Sequence, residues 1–229
     1  MARETLDNKL RHLYDGILVL DSMVEYATLG AVEALKKHDL RAAEKIYVGD
    51  KQLNAKRFEL ENDLIITIAT AQPIMASDLR QVASIYEIIS ELERMGDYAK
   101  GIARVTIMIG DQPHIKPIID IPRMADIAVS MLHRAVSAFL ANDVTAARII
   151  PQEDDHVDDL YNQVYRELIT IMVVNPSAID QANYLLWAAH NLERLADRVT
   201  NICERTIYRA TGQFVELDQS DDEAMRITS

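Results

Sequence analysis

The twelve residues from Asn191 to Ile202, NLERLADRVTNI, nearly restate ELERMGDYAKGI from Glu91 to Ile102. A chain that spells Leu-Glu-Arg-x-x-Asp twice, one hundred positions apart, is constrained to build one unit twice. Other segments repeat as well, at a spacing of 104. KKHDLRAA with Asp39 pairs with LANDVTAA and Asp143, and GDKQLNAKRFELENDLI pairs with EDDHVDDLYNQVYRELI, so that Asp50 matches Asp154, Asn54 matches Asp158 and Leu64 matches Leu168. Ile85, Ile88, Leu92, Met95, Ala99, Ile102, Thr106 and Ile109 recur at steps of three and four, the apolar seam of a long helix, and Leu185, Ala188, Leu192, Leu195, Val199 and Ile202 repeat that seam. The reading is an all-α fold of two tandem, similar antiparallel three-helix bundles, six helices related by a pseudo-two-fold repeat.

Proline divides the chain, because it seldom sits inside a helix and biases the residue before it toward extended backbone. Three of the six prolines fall in GDQPHIKPIIDIP, Gly110 to Pro122. This predicts a first bundle over 1–110, a linker over 111–122, a second bundle over 123–212 and an acidic, flexible tail over 213–229. Pro73 and Pro176 read as helix-to-helix turns within each half. Asp39 and Asp143 read as N-caps whose carboxylates accept from free amides of the following helix.

Only 7 Gly and 6 Pro occur among 229 residues, and 49% of the chain is apolar, which favours helices around a sizeable core. Against 24 Lys and Arg stand 36 Asp and Glu, a net charge of −12 that would repel a phosphate backbone and disfavours nucleic acid as a partner. The start, MARETLDNKL, has no apolar run behind its charges and does not read as a secretory signal. No apolar run approaches the roughly 20 residues of a membrane span, so any membrane association is expected to be peripheral, through partners. The single Cys203 excludes an internal disulfide framework, fits a reducing compartment and sits near the seam, as a buried, inert thiol would.

The acids beside the seam carry the functional question. Four positions apart on a helix, Glu93 and Asp97 share one face at the edge of the apolar stripe, and Glu193 and Asp197 repeat them, with Asn201 and Glu204 extending the row. Asp154 and Asp158, and likewise Asp50 and Asn54, hold the same spacing on the preceding helices. Like charges at this spacing repel by a few tenths of a kcal/mol, more when a second acid pair packs alongside. Arg94, Arg104, Arg194 and Arg205 are close enough in sequence to offset that, and Arg80, Arg94 and Arg194 are assigned to such neutralising pairs. Hard cations would offset it more strongly, since oxygen-only donor sets suit Mg²⁺, Mn²⁺, Ca²⁺ or ferric iron. A pair of acids at this spacing is also an ordinary solvated helix face, and both readings stand at this point.

The doubled motif Leu92-Glu93-Arg94-x-x-Asp97 and Leu192-Glu193-Arg194-x-x-Asp197-x-x-x-Asn201-Ile202-x-Glu204, with Asp154-x-x-x-Asp158 upstream, resembles the PhoU family of accessory proteins of bacterial phosphate uptake, over about residues 5–212. The resemblance implies a cytoplasmic, non-catalytic, usually dimeric regulator. It would act between the phosphate transporter, through its ATPase subunit, and a sensor histidine kinase, restraining uptake and silencing the starvation response when phosphate is plentiful. It also implies metal clusters on E/D-x-x-x-D motifs, with iron, zinc, magnesium or manganese as the ion. By position, the ligands would be Asp154, Asp158, Glu193 and Asp197, with Asn201 and Glu204, in the second half, and Asp50, Asn54, Glu93 and Asp97 in the first. Asn54 replaces an acid, Gly101 stands opposite Asn201 and Arg104 opposite Glu204, so weaker binding or fewer ions are expected in the first half.

Two other readings differ in class. A ferritin-like di-iron oxidase needs a Glu-x-x-His on each of two helices; the chain offers Glu153-x-x-His156 and no equivalent near Gly49. A metal-independent helical interaction module would use its acids for solubility alone. His190 is read as an ordinary flank residue rather than a phospho-acceptor, Tyr161, Tyr165, Tyr184 and Trp187 as packing or dimer-face aromatics, and no Gly-rich phosphate loop is present.

Overall fold

The three-and-four periodicity becomes helix in every long segment. The computed structural model of the protein describes residues 2–70 and 74–217. Helices α1 (Ala2–Lys37), α2 (Leu40–Thr70) and α3 (Ala76–Ile109) form the first bundle. Helices α4 (Asp120–Ala141), α5 (Val144–Ile149), α6 (Asp154–Val174) and α7 (Ile179–Thr211) form the second, and no strand occurs among the described residues. The short α5 and α6 together occupy the place of one long helix. They and the 3₁₀ turn at Ile150–Glu153 between them run from Val144 to Val174, the same register as α2 shifted by 104 positions. Pro151 sits inside that turn and accounts for the break; its counterpart in the unbroken α2 is Tyr47.

Both expected N-caps form. Asp39 Oδ1 accepts from the Ala42 amide at 2.9 Å, and Asp143 Oδ1 accepts from Thr145 and Ala146 at 3.0 Å each. The residues just before them, His38 and Asn142, end α1 and α4 in the left-handed region at φ 58° and 56°, again 104 positions apart. Pro176 opens a one-turn 3₁₀ segment capped by Asn175, as the expected turn of the second half, whereas Pro73 lies outside the described residues. The linker is shorter than its prolines suggest, because α4 begins at Asp120 and Pro122 sits in its first turn, where a missing N–H costs nothing. The segment before it is held in place: Gln181, buried on α7, accepts from the Ile115 amide and donates to the Pro113 carbonyl.

The seam residues Ile85, Ile88, Leu92, Met95, Ala99 and Ile102 of α3 are fully buried, as are Leu185, Ala188, Leu192, Leu195, Val199 and Ile202 of α7. Each large aliphatic side chain so buried contributes about 1.5–3 kcal/mol. The seams face each other. The most extensive helix packing is between α3 and α7, so the two bundles share one continuous apolar core, with α1 against α4 as a second junction. At that second junction His133 lies 2.9 Å from the buried Asp21 and 3.2 Å from Glu25.

Helix α4 differs from the sequence expectation, since by length and composition it is apolar enough to cross a membrane. Its apolar surface is accounted for otherwise, because Met124, Ala128, Leu132, Ala135 and Phe139 are buried against α1 and α7. Cys203 is fully buried, and burial, with the charge of Glu204, pushes its thiol up to about 12. The expected free tail is anchored at its start: Phe214 stacks on Tyr208 at 4.1 Å, and Val215 and Leu217 pack on the core. Residues 218–229 lie outside the described ones.

Candidate functional site

The first-half acids stand on α2 and α3, whose close approach is set at Gly96. A Cβ there would lie 2.5 Å from Leu53 Cδ1. That approach brings Asp50 and Asn54 of α2 beside Glu93 and Asp97 of α3. Asp50 is 8% exposed; its Oδ2 accepts from Asn54 Nδ2 at 3.0 Å and from Lys100 Nζ at 2.7 Å. Lys100 also reaches Asp97 Oδ1 at 3.6 Å, so one ammonium ties carboxylates of two helices. The hydrogen bond to Asp50 raises the pKa of Lys100 against the opposing effect of burial. Arg57 lies 3.2 Å from Glu93 and 3.5 Å from Glu61. Burial still raises the pKa of Glu93, which Arg57 counters and the charges of Asp97 and Asp50 reinforce.

The second-half set is arranged differently. Asp154 and Asp158 start α6, while Glu193, Asp197, Asn201 and Glu204 line α7, and all six are half-buried. Glu193 lies 3.0 Å from His190 Nδ1, and its charge, after burial, raises the pKa of Tyr161 on α6. Asp197 is 4.0 Å from Arg194, and Glu204 Oε1 accepts from the Leu217 amide at 2.8 Å. Thus the start of the tail closes over one end of the row. Among the described residues no three His, Cys, Asp or Glu side chains converge closely enough to hold a metal ion as they stand.

The cations that meet the first-half acids are not those singled out from sequence proximity. Arg94 pairs with Glu91, Arg205 lies over the ring of Phe214, and Arg80 lies against Gly212. Arg104 faces a cavity of about 350 Å³ shared with Trp187 and His190. Arg57 and Lys100 were legible by aligning the halves on their own repeat: Tyr161 stands opposite Arg57 and the buried Thr200 opposite Lys100. A test of fit for a hard cation therefore divides the halves. In the first, the shared oxygen of Asp50 already meets an ammonium at hydrogen-bond distance, and Glu93 meets a guanidinium; this set is the poorer fit for an added ion. In the second, the donors are five carboxylates and one amide, oxygen donors of the kind a hard cation takes, but no three of the carboxylates converge closely enough as they stand.

Other features settle lesser points. Glu153, half of the Glu-x-x-His, is held by both terminal nitrogens of Arg134 at 2.7 and 2.5 Å on the turn before α6, which leaves an oxidase ligand set without its glutamate. The positions equivalent to Arg134 and Glu153 are Gly30 and Gly49. Beside Gly49 a cavity of about 540 Å³ opens between α1, α2 and α3, walled by Leu18, Met23, Tyr26, Ile46 and Leu53 and reaching Asp50 and Lys100, while Gly30 packs against Ile46. Tyr184 and Trp187 pack edge to face at 6.0 Å, and Trp187 is half exposed.

This doubled geometry has close relatives. The PhoU domain family model matches twice, over residues 17–106 and 121–206, once per bundle. The chain is 34% identical over 218 residues to a phosphate-specific transport system accessory protein PhoU homolog of Clostridium acetobutylicum, covering 95% of this chain and 100% of the relative. It is 32% identical over 205 residues to the phosphate-specific transport system accessory protein PhoU of Escherichia coli K12, covering 90% and 85%. The crystal structure of the phosphate transport system regulatory protein PhoU from Streptococcus pneumoniae superposes with a TM-score of 0.85 at 31% identity, over 93% of this chain and 100% of that one. With the repeat, the shared core and both matches in agreement, the chain belongs to the PhoU family.

Proposed function

We propose that this protein is a cytoplasmic regulator of phosphate uptake and of the phosphate-starvation response that acts by binding and catalyses nothing. Its partners are the ATPase subunit of the phosphate transporter and a sensor histidine kinase, and it works as a homodimer that meets the membrane through those partners. The observation that carries the reading is the pair of family matches, one on each bundle, over nearly the whole helical chain. Relatives named as accessory proteins of the phosphate-specific transport system, matched along most of their own length, support it, and the acidic surface supports protein rather than nucleic-acid partners.

The ion belongs, in this reading, chiefly to the second half. Asp154, Asp158, Glu193 and Asp197, with Asn201 and Glu204, would hold iron, zinc, magnesium or manganese, hard oxygen donors favouring the harder of these. When bound, the ion supplies positive charge that neutralises the row of carboxylates and ties α6 to α7. The first-half residues Asp50, Asn54, Glu93 and Asp97 would hold fewer ions or hold them more weakly, because Lys100 already meets Asp50 and Asp97 and Arg57 meets Glu93.

A deletion strain grown in phosphate-replete medium tests the role. It is expected to accumulate phosphate and to express starvation genes, and the full-length protein is expected to retain the transporter ATPase and the kinase in affinity capture. A strain indistinguishable from its parent, together with failure to retain either partner, would discredit the assignment.

A further inference from the structure

We infer that the cavity between Arg104 and Trp187 is a docking site for a partner protein, and that it takes an acidic segment carrying an aromatic residue with a carboxylate two or three positions along. The site uses no metal ion and stands independently of the regulatory role proposed above.

The cavity, of about 350 Å³, lies where the end of α3 passes the start of α7. Gly101 lets the two helices close beneath it, since a Cβ there would lie 2.9 Å from Asn191 Nδ2. Met108 and Trp187 border the cavity and are 36% and 49% exposed, so an aromatic ring can pack against both. The exposed Arg104 guanidinium makes no ion pair with any described residue. Among the described groups lining the cavity only His190 meets an acid, Glu193 at 3.0 Å. On a chain of net charge −12 this is a pocket without a carboxylate of its own, built from the arginine, methionine and aromatic residues enriched at protein interfaces.

The repeat shows what such a place takes. Helices α3 and α7 match at a spacing of 100, so the cavity has a counterpart at the other end of the same helix pair, where Glu204 stands for Arg104, Tyr208 for Met108 and Glu87 for Trp187. That end is covered by the chain itself. Phe214 stacks on Tyr208 at 4.1 Å, Arg205 lies 5.7 Å from the Phe214 ring, and the Leu217 amide donates to Glu204 Oε1 at 2.8 Å. Two exchanges set the chemistry of the open end. A guanidinium, which only donates, stands where the counterpart has an acceptor, so the occupant must bring a carboxylate there rather than an amide. An indole stands where the counterpart has a charge, so the occupant's ring meets an apolar wall. An isolated anion would leave Met108 and Trp187 uncovered, and an apolar chain would leave Arg104 unanswered. An aromatic residue followed closely by an acid meets both demands.

Trp187 is the single tryptophan of the chain, so its emission reports on this cavity alone. The synthetic peptide GQFVELD, the sequence of Gly212–Asp218, carries a ring and an acid two positions apart and stands in for the partner segment. Added to the full-length protein, it is expected to move Trp187 emission to shorter wavelength in a saturable way. Arg104→Glu, which installs the counterpart residue at an exposed position, and Phe214→Ala within the peptide are each expected to weaken binding on the order of tenfold. Absence of a saturable shift overturns the inference, and so does either variant binding as tightly as its parent. The protein alone supplies the remaining reading: its Trp187 emission is expected to be the same at every protein concentration. A shift on concentration that Phe214→Ala in the full chain removes would show the tail of a second copy filling the cavity, and would overturn the assignment to a different protein.

Discussion

In the first half the middle helix runs unbroken from Leu40 to Thr70, its acids answered by Lys100 and Arg57, and Gly49 borders a cavity beside it. In the second half the same 31-residue register is broken at Pro151, the acids are more numerous, and Arg134 and Glu153 clasp each other where the glycines were. The backbone repeat is conserved between the halves while the polar chemistry beside it is not. Apolar burial along the α3 and α7 seams fixes the fold and tolerates no charge. The edge of each seam carries no such constraint, so charge can change there without cost to the architecture.

The comparison is broken most forcefully by attacking the shared core. Phe139, fully buried beneath the Arg209 guanidinium, occupies the register of Leu35 in the first half. Phe139→Ala is expected to cost about 3–5 kcal/mol and Leu35→Ala about 2–5 kcal/mol. Because the core is continuous, each should shift one cooperative unfolding transition in calorimetry; two separate transitions would show that the bundles are independent units. Next in size is the junction at Glu91, a nearly buried carboxylate met by Arg94 of its own helix at 3.5 Å and by the less exposed Arg198 of the other half at 3.6 Å. Arg198→Ala leaves that charge to the more exposed Arg94 alone and is expected to cost roughly 2 kcal/mol in denaturant unfolding, the loss shrinking in an added Glu91→Gln background.

The α1 and α4 junction gives a pH dependence. Burial disfavours the charged imidazole of His133, but Asp21 and Glu25 outweigh it, so its folded pKa is raised. A raised folded pKa means that the stabilisation is fully present below the ordinary imidazole value of about 6.5 and is lost as pH rises through the folded one. Denaturant midpoints should therefore fall as pH is raised from about 6 to about 8.5. His133→Leu, which installs the first-half residue Leu29, should flatten that slope; an unchanged slope would show that His133 carries no linkage. Smallest is the partly exposed Arg134 and Glu153 pair, where Arg134→Ala is expected to cost no more than about 1 kcal/mol.

Much of this was legible in the sequence. The seams at steps of three and four, the caps at Asp39 and Asp143 and the shift of 104 positions between α2 and its counterpart follow from periodicity and local hydrogen bonding, which a single chain records. The apolar length of α4 was misjudged because burial between two bundles demands the same composition as a lipid span. The roles of Lys100 and Arg57 were missed, although Lys100 stands within one turn of Asp97, because the contacts to Asp50 and Glu93 cross between helices and leave no mark in sequence proximity. The partners that matter are one helix away or on the far side of the motif: Arg57 on α2 for Glu93, and Lys100 on α3 for Asp50. The anchoring of Phe214 and Leu217 was hidden by the acidic composition of the tail around them.

Anomalous scattering from crystals of the full chain grown with Mn²⁺ would locate any ion on either acid row. The account predicts peaks against Asp154, Asp158, Glu193 and Asp197 and fewer or weaker ones between Asp50 and Asp97, where Lys100 lies. Equal occupancy on both rows would contradict it.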